Sequence, residues 1–171
     1  KKLDFPVVVK PINEGSSVNV NICNKSSFIK NLYKLKNYGE VLIGKFIPGR
    51  EIQVAIFGRQ KLGAIELKPK RKFYDYEAKY NPKAKTEHII PVKISKKQYN
   101  KVTSLALKAH NLLKCRGVTR SDFRFYNNRF YLLETNTQPG MTSLSLVPEI
   151  ASYNGISFIQ LIEKIIKDAS I

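Results

Sequence analysis

Two kinds of hydrophobic pattern share this chain. Short runs that are apolar throughout, or that alternate with polar residues, fall at 5–10, 40–46, 52–57 and 62–67; Pro, Gly or charged residues close most of them. Runs of this length, rich in Val and Ile, predict β-strands. Between them lie segments with helical spacing. Ser26–Asn37 carries Phe28, Ile29, Leu32 and Leu35 on one stripe, with Ser26 or Ser27 as cap and Gly39 as stop. Ser95–Lys114 places Tyr99, Val102, Leu105, Ala106, Ala109 and Leu112 or Leu113 toward a core, behind a Ser95 cap. Val147–Tyr153 is a short helix, and Phe158–Ala169 is a closing amphipathic one with Lys167 near its C-terminus.

The stretch 117–147, GVTRSDFRFYNNRFYLLETNTQPGMTSLSLV, concentrates the chemistry. It reads as strand, tight turn, strand and a Gly/Thr/Ser-rich loop, with Asn127 and Asn128 suited to the turn because Asn tolerates positive φ. Alternation points Val118, Arg120, Asp122 and Arg124 one way, and Thr119, Ser121, Phe123 and Phe125 the other. On the second strand it groups Phe130, Leu132, Glu134 and Asn136 against Tyr131, Leu133 and Thr135. Loop length sets the register. A three-residue loop pairs Tyr126 with Phe130, which sets Asp122 opposite Glu134 and Arg120 opposite Asn136; a two-residue loop sets Asp122 opposite Leu133. In the first register the two carboxylates lie roughly 5 Å apart, Cβ to Cβ, and repel unless a cation lies between them. Hard oxygens from Asp122, Glu134 and Asn136 suit magnesium. Two solvated carboxylates on an ordinary hairpin are the other reading of the spacing.

Composition narrows the class. The 171 residues, 43% hydrophobic, suffice for one domain or two small ones with a buried core. No apolar run approaches the roughly 18 residues of a membrane-spanning helix. The start, KKLDFPVVVKP, has too short an apolar run for a signal peptide, and with no initiator Met it suggests that the protein begins upstream. Cys23 and Cys115 form no C-x-x-C, so neither zinc nor a disulfide framework is indicated, and lone thiols fit a reducing cytoplasm. The net charge of +17 raises nucleic acid as a partner. Its lysines, however, are spread along the chain, denser only at Lys68–Lys72 and Lys93–Lys97, with no recognition-helix or stacking signature. A lysine-rich bias with a polyphosphate pocket accounts for the charge, and no nucleic-acid partner is expected.

Further candidates come from local context. Lys10 ends a strand before Gly15-Ser16-Ser17, where an ammonium, backbone N–H groups and hydroxyls can meet phosphates, although G-S-S is also a common turn. The string Phe73-Tyr74-Asp75-Tyr76-Glu77-Ala78-Lys79-Tyr80 reads by itself as an aromatic, charged surface loop. His88 lacks a visible partner and reads as incidental; His110 reads as core.

Several of these segments together resemble the D-alanine–D-alanine ligases of the ATP-grasp superfamily. The resemblance is carried by Arg120-Ser121-Asp122, Glu134-Thr135-Asn136, Pro139-Gly140-Met141-Thr142 through Ser145-Leu146-Val147-Pro148, Val9-Lys10-Pro11 with Gly15-Ser16-Ser17-Val18, and the F-Y-D-Y-E-A-K-Y string. It implies an ATP-grasp fold, α+β with mostly antiparallel sheets and packed helices: a partial central, nucleotide-binding subdomain over 1–58 and a C-terminal catalytic and metal-binding domain over 59–171. It assigns ATP binding to Lys10, the hinge Lys45, Phe46 and Ile47, the ribose ligand Glu51, and Lys79. Metal falls to Asp122, Glu134 and Asn136, with two Mg2+ (or Mn2+) ions expected. Arg120, Ser16, Tyr80 and the Gly140 N–H are catalytic; Lys79, Ser145 and Leu146 bind substrate. The 73–80 segment becomes a lid. One departure stands out: the family usually carries an acidic residue where Gly44 stands, so a side-chain contact to the adenine amino group is lacking.

The implied activity joins two D-alanines through an acyl-phosphate, with ATP as phosphoryl donor, for peptidoglycan precursor synthesis and hence cell-wall biogenesis and cell shape. The implied setting is cytoplasmic, with D-alanine and ATP as partners, no membrane, and room for a homodimer of the full-length enzyme. The family's N-terminal domain and an earlier nucleotide-binding strand have no counterpart here, so little or no ligase activity is expected of this chain alone. Arg120 could instead be a plain ion-pair partner of Asp122. A nucleotide-binding remnant, or a ligase ending in D-lactate or D-serine, are the other readings.

Overall fold

The computed structural model describes residues 4–15, 17–69, 86–142 and 145–169. They fall into two compact units, Lys1–Ile47 with Pro69–Glu87, and Pro48–Lys68 with His88–Ile171. The first is built on a three-stranded antiparallel sheet. Its strands are β1 (Val7–Pro11), β2 (Asn21–Cys23) and β3 (Val41–Lys45), in the order β2-β1-β3. Alternate residues of β1, Val7 and Val9, meet Cys23 and Leu35 in a small core, with Phe28, Leu32, Val41 and Ile43 at its margin. Helix α1 (Phe28–Lys34) is shorter than expected, because a 3-10 turn over Lys36–Tyr38 takes its last residues. Neither serine caps it through its side chain. Asn24 instead accepts from the Ser27 N–H and the Ser26 hydroxyl, both at 2.9 Å. Ile29, placed on the apolar stripe by its spacing, is exposed.

The second unit holds a five-stranded sheet, β6 (Glu87–Ile89), β5 (Gln60–Lys68), β4 (Arg50–Phe57), β7 (Val118–Tyr126) and β8 (Arg129–Asn136), in that order. The pairs β4–β5, β4–β7 and β7–β8 are antiparallel. Strand β4, which the sequence reading set before a boundary at 58/59, pairs along its length with both β5 and β7. Its residues Glu51 to Ile56 are all buried, as a central strand requires. One face of the sheet, with Ile52, Val54, Ile56, Ala64 and Phe123, packs on Val102 and Ala106 of helix α2 (Lys96–Leu112). That helix starts on the expected Ser95, in a capping box closed reciprocally with Gln98. At its far end His110 is buried, as expected, whereas Leu112 and Leu113 are both exposed, against expectation.

Helix α3 (Leu146–Tyr153) lies against β5, and α4 (Phe158–Ala169) follows it. On α4 only Leu161 is buried among the described side chains; Phe158 and Ile166 of the expected apolar stripe are exposed. Close approach at Gly63 makes the α3–β5 contact possible. Its φ is +143°, and a Cβ there would stand 2.8 Å from Asn154 Nδ2 and 2.9 Å from Ile150 Cγ2. No helix among the described residues is long and apolar enough to cross a membrane.

Two stability predictions follow from this packing. Gly63→Ala forces both the backbone and the α3 contact, and urea denaturation should show a loss of about 1–3 kcal/mol. His110 bonds Thr119 Oγ1 through Nδ1 at 2.9 Å, and burial pushes its pKa below the ordinary 6.5 despite opposing influences from the Cys115 backbone and Asp168. The unfolded chain therefore binds a proton that the folded chain refuses. Stability from this group is complete above pH 6.5 and is lost as pH falls from there toward the depressed value. Unfolding free energies at about pH 7.5 and about pH 5.5 should differ less for His110→Gln than for the parent chain.

Candidate metal centre

The hairpin β7–β8 reaches the expected pairing by an unexpected route. Its turn has two residues, Asn127 and Asn128, with φ of 46° and 58°, and Tyr126 pairs with Arg129. Positive φ at both central positions is the type I′ pattern, whose twist suits a two-residue hairpin. Pairing continues through Phe125↔Phe130 and Phe123↔Leu132, then shifts by one residue, so that Asp122 faces Glu134 and Arg120 faces Asn136. An extra residue in β8, Leu133, makes this bulge. The expected opposition of Asp122 and Glu134 is present, and the three-residue loop invoked for it is not. The bulge also overturns the expected grouping before it: Phe130 and Leu132 pair with Phe125 and Phe123, and Tyr131 pairs with Arg124. Phe130, grouped with Glu134 by alternation, packs on the core side, its ring stacked 4.5 Å from Phe125, while Thr135 meets Ser121 at 3.0 Å.

The polar face therefore gathers residues from three strands. Gln53 on β4 pairs with Asp122 on β7, which pairs with Glu134 on β8. One step along, Ala55, Arg120 and Asn136 make a parallel row; one step back, Glu51 pairs with Arg124. Asp122 is 4% exposed, whereas Glu134 is open to solvent. The Asp122 charge is met by Arg120, whose Nε and Nη2 donate to the two carboxylate oxygens at 2.8 and 3.1 Å. The ion pair weighed against a catalytic role for Arg120 thus exists. Asn136 Oδ1 accepts from the Gln138 N–H at 2.9 Å, which turns the chain into the loop beyond.

In that loop Ser145 organises the turn that leads into α3. Its Oγ accepts from the Thr142 N–H and meets the Thr142 hydroxyl, both at 2.9 Å. A Cβ on Gly140 would come within 2.9 Å of the same oxygen. Leu146, the first residue of α3, is buried. Gly140 thus lies close to Ser145, and Leu146 follows Ser145 into the helix.

Glu51 is buried, with its carboxylate 3.4 Å from Arg124 Nη2. Arg124 also donates to the Gly49 carbonyl at 3.0 Å, tying the Pro48-Gly49 turn to β7. Gly49 has φ of +105° and sits so close to β7 that a Cβ would be 2.3 Å from the Phe125 oxygen. In the other unit Lys10 lies on β1 opposite Leu42, Lys45 ends β3, and Phe46 donates its N–H to the Pro6 carbonyl at 3.2 Å. Ile47 is half-buried. Gly44 pairs with Val8, and nothing lies within 4 Å of a Cβ built there, so no described neighbour demands glycine at that position. Ser16, Lys79 and Tyr80 lie outside the described residues.

Sequence reading placed Arg124 on this face without giving it a role, and overlooked Gln53, for which period-2 spacing from Glu51 was the available signal. His88, read as incidental, bonds Glu149 of α3 through Nδ1 at 2.7 Å. No group of three or more His, Cys, Asp or Glu with metal-binding geometry occurs among the described residues. The donor set still fits magnesium, because Asp122, Glu134 and the amide of Asn136 offer hard oxygens from adjacent positions on one face.

Two antiparallel sheets with packed helices, one carrying this oxygen-rich hairpin, form the α+β architecture of the ATP-grasp enzymes. A crystal structure of D-alanine–D-alanine ligase from Bacillus anthracis matches 96% of this chain and 54% of its own, with a TM-score of 0.83 at 36% identity. Another from the same organism, complexed with ATP, matches 96% of this chain and 52% of its own, with a TM-score of 0.80 at 30% identity. The family model for the D-Ala–D-Ala ligase C-terminus matches residues 1–167, and the chain belongs to that family. A D-alanine–D-alanine ligase of Pelagibacter ubique is 68% identical over 171 residues, the whole of this chain and 56% of the relative. The chain thus spans about half the length of the curated relative it matches.

Two variants test these placements, one in each unit. Arg120→Met withdraws a guanidinium from a buried carboxylate and should lower the unfolding free energy by about 3 kcal/mol. Gly44→Glu projects into open space from β3 and should change it by less than about 1 kcal/mol.

Proposed function

We propose that this chain supplies the nucleotide- and metal-binding portion of an ATP-dependent D-alanine–D-alanine ligase, which makes the dipeptide of peptidoglycan precursors through an acyl-phosphate. The observation that carries the reading is the register of β7 and β8, which sets Asp122 against Glu134 with Asn136 on the same face. Those three residues would hold Mg2+, two ions in the complete site, which would supply positive charge to neutralise the terminal phosphates.

The chain's own residues do the rest. Lys10 meets the nucleotide phosphates, the backbone of Lys45, Phe46 and Ile47 receives the adenine, and Glu51 takes the ribose hydroxyls. Arg120 has two tasks. In the ligand-free chain it holds the Asp122 carboxylate; with substrates bound, its guanidinium stabilises the negative oxygens of the transferring phosphoryl and of the tetrahedral centre. The Gly140 N–H adds a donor to those oxygens. Ser145 and Leu146, at the start of α3, receive the carboxylate of the second D-alanine, whose amine attacks the acyl-phosphate and releases phosphate. Ser16 and Tyr80 orient the substrate side, and Lys79 meets the substrate carboxylate or the γ-phosphate. The kinship with D-alanine–D-alanine ligases supports D-alanine as both substrates.

The test is binding of ATP by calorimetry, with and without Mg2+. The parent chain should bind ATP more tightly when Mg2+ is present. Asp122→Asn and Glu134→Gln should each remove most of that gain, a loss of about tenfold or more. Metal-independent binding by the parent chain, or unchanged metal dependence in both variants, would refute the assignment.

A further inference from the structure

Among the described residues, Gln53 Oε1 is the one buried side-chain oxygen or nitrogen without a hydrogen-bond partner. The residue is 1% exposed, and leaving such an oxygen unpaired costs about 1–3 kcal/mol. Its orientation is set chemically. The amide Nε2 lies 3.4 Å from Glu51 Oε1, and a carboxylate only accepts, so the amide nitrogen faces Glu51 and the oxygen faces away from it.

No neighbour in the sheet is placed to satisfy that oxygen. Beside Gln53 stand Ile65 on β5 and Asp122 on β7, and two residues along its own strand stand Glu51 and Ala55. Two of these are apolar and two are acceptors. The diagonal donors, Arg120 and Arg124, are turned onto the Asp122 and Glu51 carboxylates. A donor must therefore arrive from outside the sheet, on the face that carries Asp122.

We propose that Gln53 is a positioning residue whose Oε1 accepts a hydrogen bond from a water of the divalent cation held by Asp122, Glu134 and Asn136. The inference rests on the metal reading above and deepens it. Strand spacing favours a water over direct ligation. Gln53, Asp122 and Glu134 occupy three successive strands about 4.8 Å apart, so a cation between the two carboxylates lies beyond direct reach of β4. Magnesium retains several waters when only a few protein oxygens bind it, and each water presents strongly polarised protons. An acceptor fixed by burial next to Asp122 would orient one such water and favour the hydrated ion at that place.

The experiment measures Mn2+ affinity by the loss of free-ion electron paramagnetic resonance signal, using the full chain with a non-hydrolysable ATP analogue. Thermal unfolding of the metal-free proteins runs alongside. Gln53→Met, which keeps the volume and removes the oxygen, should bind Mn2+ about tenfold more weakly, with its metal-free midpoint unchanged or raised. Gln53→Glu, which restores an oxygen there, should bind within about threefold of the parent. Parental affinity in Gln53→Met overturns the proposal. So does equal weakening in both variants with lowered midpoints, which would mark Gln53 as a structural residue. Asp122→Asn separates this proposal from the reading beneath it: if it too binds Mn2+ like the parent, the metal assignment itself fails.

Discussion

The hairpin β7–β8 has to satisfy two demands of opposite sign. Its aromatic residues must enter the core beneath the sheet, and its acidic residues must stay on the other face. Strict alternation cannot do both, because Phe130 and Glu134 are four residues apart and would share a side. The bulge at Leu133 resolves the conflict with one unpaired residue. Before it, Phe130 stacks on Phe125; after it, Glu134 and Asn136 rise beside Asp122 and Arg120. A bulge next to a functional site re-aims side chains in this way. The placement of Glu134 and Asn136 on the polar face depends on that single residue.

Around it the fold acts mainly as a frame. Strand β4 is buried on both sides, so its polar residues Glu51 and Gln53 lie in low-dielectric surroundings where each needs a partner. Arg124 answers Glu51 and ties the Pro48-Gly49 turn to the same strand. Arg120 answers Asp122. These pairs hold carboxylates in place before any cation arrives, which reduces the reorganisation that binding would require. Beyond the hairpin, Gly63 lets α3 approach β5, and α3 carries the turn in which Ser145 and Gly140 meet.

Much of this was legible in the sequence. The strands, the Ser95 cap and the closing helix over Phe158–Ala169 follow from period and capping chemistry, which act locally. The proposed cation ligands were legible because Asp122, Glu134 and Asn136 carry the carboxylate and amide oxygens of the hairpin's two strands. The reason for their meeting was not. A bulge is a property of the pair of strands, and an unpaired Leu133 looks like any other strand residue. Exposure was misjudged for a similar cause. Ile29, Leu112, Leu113, Phe158 and Ile166 have core spacing, yet a stripe names a face without saying what covers it. Strand β2, only three residues long, gave no period to read. Gln53 was passed over because one amide in an apolar strand carries no motif; its significance appears only when its neighbours are known.

In the proposed site, oxygens from two adjacent strands converge on one divalent cation. A crystal of the chain grown with Mn2+ and an ATP analogue, with data collected at the manganese absorption edge, tests it most directly. The account predicts an anomalous-scattering peak about 2.1 Å from side-chain oxygens of Asp122, Glu134 and Asn136. A peak that touches none of the three, with nucleotide bound, would contradict it.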